Sequence, residues 1–169
     1  VINKIETEEW GWKFLWNEKQ LYRDVIVLKG DIRENGSMEG EVSVSSFDYP
    51  RVQKVPALKD GKEKFIEKFF VSGNNALKVD SLTLKNEASD SLPLVQTAKF
   101  SLPLSSSGDY KYFSVNLFSG LEKNPFVSDS RFSDVFFGSN QHYQIVGNFF
   151  IPEGHEFEEL PKNVRMIMP

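Results

Sequence analysis

The side chains suited to proton transfer or metal ligation are few: the 169-residue chain has two histidines, His142 and His155, and no cysteine. His142 falls in an alternating, strand-like segment and His155 in a PEGHE turn. A metal centre uses three or four ligands at set spacings, and neither histidine has a partner at His-x-His or Glu-x-x-His spacing. Both read as ordinary surface or half-buried residues, so no metal and no cofactor is implied. Ser139, His142 and Asp134 supply the residue types of an acyl-transfer triad, but nothing around Ser139 resembles a nucleophile elbow. Glu153, Glu156, Glu158 and Glu159 crowd one short stretch. They lack the Asp-x-Asn/Asp-x-Gly spacing that folds a calcium loop and read as a solvated turn leading to a strand. The missing cysteine is the firmest exclusion, because a Cys-His-Asp nucleophile cannot be built from this chain. No catalytic residue is assigned, and the chain reads as a non-enzyme.

A second chemistry is ring stacking. Trp10, Trp12, Phe14 and Trp16 recur at period 2, which puts four aromatic rings on one face of an extended segment. Such a row can stack on the pyranose rings of a polysaccharide, with Tyr143, Phe149 and Phe150 as a further aromatic group. Rows of this kind more often pack against the body of the fold or a neighbouring domain. A binding platform interleaves polar hydrogen-bonding groups with its apolar surface, and Lys13 alone does little of that. Packing is therefore the preferred reading and sugar binding the alternative.

Charge and hydropathy remove other classes. Twenty-four acidic and 20 basic residues are interspersed, for a net charge of −4, so no basic surface marks a nucleic-acid partner. No apolar run approaches the roughly 20 residues that span a bilayer, so no membrane span is expected. With 40% hydrophobic residues and 15 Phe, the chain can bury one sizeable core. It opens at Val1 without an initiator methionine or signal-peptide pattern and is read as a piece of a longer protein.

The elements that must carry these residues are mostly strands. Residues 25–33 and 38–47 flank Asn35-Gly36, which predicts a two-residue hairpin turn. That register sets Val27 against Val44 and Lys29 against Val42, with Ile26 and Leu28 on the opposite face. Between Asp48 and Gly73 the period changes: Phe65 and Phe69, like Ile66 and Phe70, stand four apart. This predicts an amphipathic helix, capped by Asp60 with Glu63 three residues on and ended by Gly73. A shorter helical turn over 49–58 has Pro50 near its start and Pro56 limiting it. Further strands are predicted at 77–86, 92–104, 110–118, 134–137, 141–151 and 164–168, with Phe113, Val115 and Leu117 facing the core. The fold class is mainly β (α+β): an antiparallel β-sandwich with a short helical insertion near residues 48–70. Residues 1–20 form an N-terminal arm or linker from a preceding domain, and 21–169 the β-sandwich domain, truncated at its C-terminal end.

One set of motifs carries a family resemblance. Asn124, Pro125 and Phe126, then Phe137 and Gly138, then Ile151, Pro152, Glu153, Gly154, Glu156, Glu159, Leu160 and Pro161 follow one another in order. In these residues the chain resembles the C-terminal β-sandwich domain of unknown function that follows a transglutaminase-like (papain-type) core in multidomain, exported proteins of Gram-negative bacteria. The opening residues 1–10 look like the segment leading out of that core. The resemblance implies a non-catalytic accessory or interaction module, periplasmic, cell-surface or secreted, whose partner is the neighbouring transglutaminase-like domain, or else a polysaccharide or another protein. It assigns no activity to the domain. Asn124, Pro125, Phe126, Gly138, Pro152, Gly154, Leu160 and Pro161 read as structural, since Pro fixes φ and Gly154 permits a turn.

Overall fold

The computed structural model describes residues 2–4 and 9–11 by their backbone, and 19–72, 74–119, 130, 132, 138–160 and 162–165 with side chains. Strands β1 (Ile2–Lys4) and β2 (Glu9–Gly11) form a short antiparallel ribbon. The register of the main sheet is then set at one tight turn between β3 (Tyr22–Ile32) and β4 (Ser37–Phe47). Arg33 N–H donates to Ser37 O at 2.8 Å and Gly36 N–H to Arg33 O at 3.0 Å, with Gly36 at φ 78°. The loop therefore has three residues rather than two, a β-turn closed by a left-handed glycine. In such a loop only the glycine is left-handed, and Asn35 keeps an ordinary backbone while its side-chain oxygen accepts from the Ser37 N–H at 3.0 Å and the Ser37 hydroxyl at 2.7 Å.

This overturns the expected pairing. Ile26 lies against Val44 and Leu28 against Val42, while Val27 meets Ser43. A slip of one residue exchanges the two faces of a strand relative to its partner. The observed register is the one that collects Ile26, Leu28, Val42 and Val44 on a single buried face.

Helical structure follows directly on β4: α1 (Asp48–Ala57), a 3-10 turn (Leu58–Asp60), α2 (Lys62–Ile66) and a π turn (Glu67–Val71). α1 buries Pro50 and Lys54, and Pro56 sits in its last turn. The capping box predicted for Asp60 and Glu63 does not form. Asp60 belongs to the 3-10 turn, and the N-cap of α2 is Gly61, φ 102°, with no side-chain cap hydrogen bond. The helix ends on Ser72, φ 42° and ψ 44°, one residue before Gly73, which lies outside the described residues. The π turn widens the helical step from four residues to five. As a result Phe65 and Phe70, five apart, are the two buried side chains, and Ile66 and Phe69 pack at the margin.

The remaining strands are β5 (Lys78–Lys85), β6 (Leu94–Pro103), β7 (Ser105–Ser107), β8 (Tyr110–Tyr112) and β9 (Gln141–Phe150). The main sheet has the order β5-β6-β4-β3-β9, and β7 with β8 forms a small hairpin. The protein is mainly β with a helical excursion over 48–71, in line with the sequence. Antiparallel pairing dominates, but β3 and β9 run parallel, so the sheet is mixed.

One face of this sheet carries the core. Ile26, Leu28, Met38, Val42, Val44, Ala98, Phe100 and Leu102 point into it and are covered by Phe65, Phe70, Leu77, Leu117 and Phe118. The Phe118 ring meets Phe100 at 5.1 Å and Phe70 at 6.0 Å, both edge-on, the geometry aromatic rings favour. The predicted strand over 110–118 stops at Tyr112, because the Ser114 hydroxyl accepts the Asn116 N–H at 3.1 Å and turns the chain. Leu117 is buried and Phe113 packs against the core as expected, but Val115 is 48% exposed. Val164 and Arg165 are in no strand, and 134–137 and 166–168 lie outside the described residues.

Candidate functional site

Polar groups converge at one place under the sheet. Asp24 on β3, Ser46 on β4 and Gln96 on β6 each take an inward position in an otherwise apolar alternation, and α1 aims Lys54 at them. The strand register brings Asp24 beside Ser46, and Val44 beside Gln96. Lys54 Nζ donates to Asp24 Oδ2 at 3.0 Å and to Ser46 Oγ at 2.9 Å, and Gln96 Nε2 donates to Ser46 Oγ at 2.8 Å. The Phe69 ring lies 5.7 Å from the same ammonium. Burial pushes the Lys54 ammonium below the ordinary lysine range, and Asp24 draws it part of the way back.

Two phenols border this cluster. Tyr22 and Tyr143 have their rings 5.8 Å apart, and Tyr143 is registered beside Asp24. The Tyr22 hydroxyl donates to Gln53 Oε1 at 3.1 Å. Burial, then Asp24, then Tyr143 push Tyr22 up to about 12, and burial followed by Asp24 raises Tyr143. Each phenol is held neutral by the low-dielectric surroundings and by the nearby carboxylate.

A serine hydroxyl beside a lysine of depressed pKa is also the make-up of a Ser-Lys nucleophile. Here Ser46 is 0% exposed and the ammonium is committed to a carboxylate, so the hydroxyl cannot reach a substrate. The cluster ties α1 to three strands. Sequence reasoning passed over it, yet a signal existed: Lys54 shares the helical stripe of Pro50 and Leu58, and Asp24, Ser46 and Gln96 each break an apolar alternation.

The residues singled out in the sequence are not gathered here. His142 is exposed on β9, and His155 is exposed in a turn closed by its own N–H on Pro152 O at 3.3 Å. Glu153, Glu156, Glu158 and Glu159 are all exposed, and among the described residues no three His, Asp or Glu stand close enough to hold a metal ion. Gly138 and Gly154 are exposed turn residues at φ 78° and 80°, Pro152 is half-buried and Leu160 is exposed. The side chains of Trp10, Trp12, Phe14 and Trp16 lie outside the described residues, as do Asn124, Pro125, Phe126, Phe137, Pro161 and Asp134 of the Ser139 triad.

A half-open groove of about 400 Å³ runs between α1 and residues 90–93, with Val52 and Leu92 on its rim. Its one guanidinium, Arg51, is spent on the loop beneath: it donates to Asn86 O at 3.0 Å, to Glu87 O at 3.2 Å and to Ser89 O. Among the described residues no helix is long and apolar enough to cross a membrane. Comparison of the chain with protein-family models, curated proteins and solved structures finds no match.

Proposed function

We propose that this chain is a non-catalytic accessory module that docks onto a neighbour, in the setting its sequence resemblance implies: after a transglutaminase-like domain of a larger exported protein, in the periplasm, at the cell surface or secreted. The observation that supports this is the outer face of the sheet along β3 and β9. Val27 and Val146 are registered neighbours there and are 43% and 41% exposed. Phe150 is 52% exposed, with Lys29 Nζ 5.4 Å from its ring. The exposed polar residues Gln144 and Asn148 flank Val146, and an apolar centre with a hydrogen-bonding surround is the make-up of a protein interface. Any thiol chemistry of the whole protein would come from the neighbouring domain, since this chain has no cysteine.

Binding of this chain to the domain encoded upstream of Val1, measured by calorimetry, tests the proposal. Replacing Val27 and Phe150 together by serine should weaken binding by about tenfold or more. The unfolding midpoint should move little, because both side chains are exposed. Binding that survives the double change, or an upstream sequence without a Cys-His-Asp core, would remove the accessory role. The sugar-binding alternative rests on the Trp10, Trp12, Phe14 and Trp16 row, and glycan-array binding by the chain is its test.

A further inference from the structure

The main sheet ends in two edges of opposite character. β5 carries Lys78, Asp80 and Lys85, all exposed, and its register breaks between Val79 and Ser81. Charges and a bulge are the usual means by which an edge strand is kept from pairing with another chain. β9, at the other edge, has none of these devices. Its ten residues include no Asp, Glu, Lys, Arg or Pro, and it follows β3 without a register break from Gln141 to Phe150. Among the described residues it has a strand neighbour on one side only.

The direction of its free groups follows from one bond. Asn140 O accepts from Tyr22 N–H at 2.8 Å, so the backbone at even-numbered positions turns toward β3. By strand alternation Tyr143, Ile145, Gly147 and Phe149 turn their N–H and C=O groups outward. We infer that two copies of this chain join edge to edge through β9, antiparallel and centred on Val146. In that register the outward-turned residues form the hydrogen-bonded pairs, Ile145 with Gly147 and Tyr143 with Phe149. Val146 faces Val146, and Gln144 faces Asn148, on the outer face. Both copies keep their cores on the same side of a continuous sheet, which requires that paired residues share parity.

A second copy is the occupant that the strand itself favours. An uncharged strand meets its own image without like-charge repulsion, whereas a charged partner strand would find no opposite charge on β9. The inference concerns contact between copies and stands apart from docking onto a neighbouring domain.

The absence of cysteine makes the test direct. Opposed residues in a non-hydrogen-bonded antiparallel pair have Cα atoms about 4.5 Å apart, within disulfide reach. Val146→Cys should therefore give a covalent dimer on mild oxidation, and Thr83→Cys, on the charged β5 edge, should not. The unmodified chain should show twice the chain mass in light scattering, and Val146→Lys, which sets two ammonium groups face to face, should return it to the single-chain mass. A monomeric unmodified chain with no crosslink at 146 would overturn the inference, as would crosslinking at 83 equal to that at 146. A dimer that persists in Val146→Lys and does not crosslink at 146 would place the contact elsewhere and overturn it too.

Discussion

Lys54 Nζ lies 3.0 Å from Asp24 Oδ2, and each side chain is only 7% exposed. Removing one partner of such a pair leaves a buried charge uncompensated, which costs about 3–5 kcal/mol. Lys54→Met should lower the unfolding free energy measured in urea by that amount, and adding Asp24→Leu should recover most of the loss. Additive losses in the double variant would show that the two groups do not act as a pair.

Alkaline titration should show two opposing effects. The Lys54 ammonium is held below its ordinary value of 10.5, so up to that pH the unfolded chain binds more protons and stability rises with pH. Tyr22 holds its proton to about 12, whereas an unfolded tyrosine releases it at 10.0. Between those values the unfolded chain binds fewer protons, so the Tyr22 contribution, complete below 10, is lost as pH approaches 12. Tyr143 is shifted in the same direction and acts with the same sign. Phenolate absorbance should reveal one late component at about 12 that Tyr22→Phe removes. Ionisation of all five tyrosines in a single step near 10 would contradict the burial assigned to Tyr22.

Phe70 depends on the π turn for its place in the core, 6.0 Å from Phe118. Phe70→Ala should cost about 3–5 kcal/mol, as other large-to-small core changes do. Lys68→Ala, on the exposed side of the same turn, should stay within about 0.5 kcal/mol. Similar losses from both would mean that the turn does not select Phe70.

Ser72 closes the helical segment at φ 42°, a conformation that costs a residue with a Cβ about 1–2 kcal/mol. Ser72→Gly should therefore stabilise the protein by about 1 kcal/mol in thermal melts, after the extra freedom of glycine in the unfolded chain is deducted. At Gly36 the same reasoning reverses, and Gly36→Ala at φ 78° should destabilise by a similar amount.

Much of the architecture was legible in the alternation of strands and in the change of period between Asp48 and Gly73, because both patterns come from burial on one face. What escaped came from local polar chemistry. The hairpin loop has three residues, with Asn35 bonded to Ser37 through its side chain, and the extra residue shifts every pair of β3 with β4. Ser114 ended a strand that the apolar positions alone would have continued to Phe118. The Asp24–Lys54 cluster was hidden for a different reason: lysine and aspartate are seldom buried, and only their common environment in three dimensions explains why they are here.

The parallel pairing of β3 with β9 has a mechanical consequence. Among the described residues the chain enters the main sheet at Tyr22 and leaves it at Phe150, and the two strands lie side by side, pointing the same way, through ten paired positions. Tension applied between these two points drags one strand along the other instead of peeling them apart from an end. In that geometry the hydrogen bonds of the ladder are strained together, and the first cannot yield without its neighbours. Stretched between flanking segments, the β3–β9 seam would act as a clamp that resists extension, while the β3–β4 hairpin, pulled apart at its open end, would unzip one bond at a time.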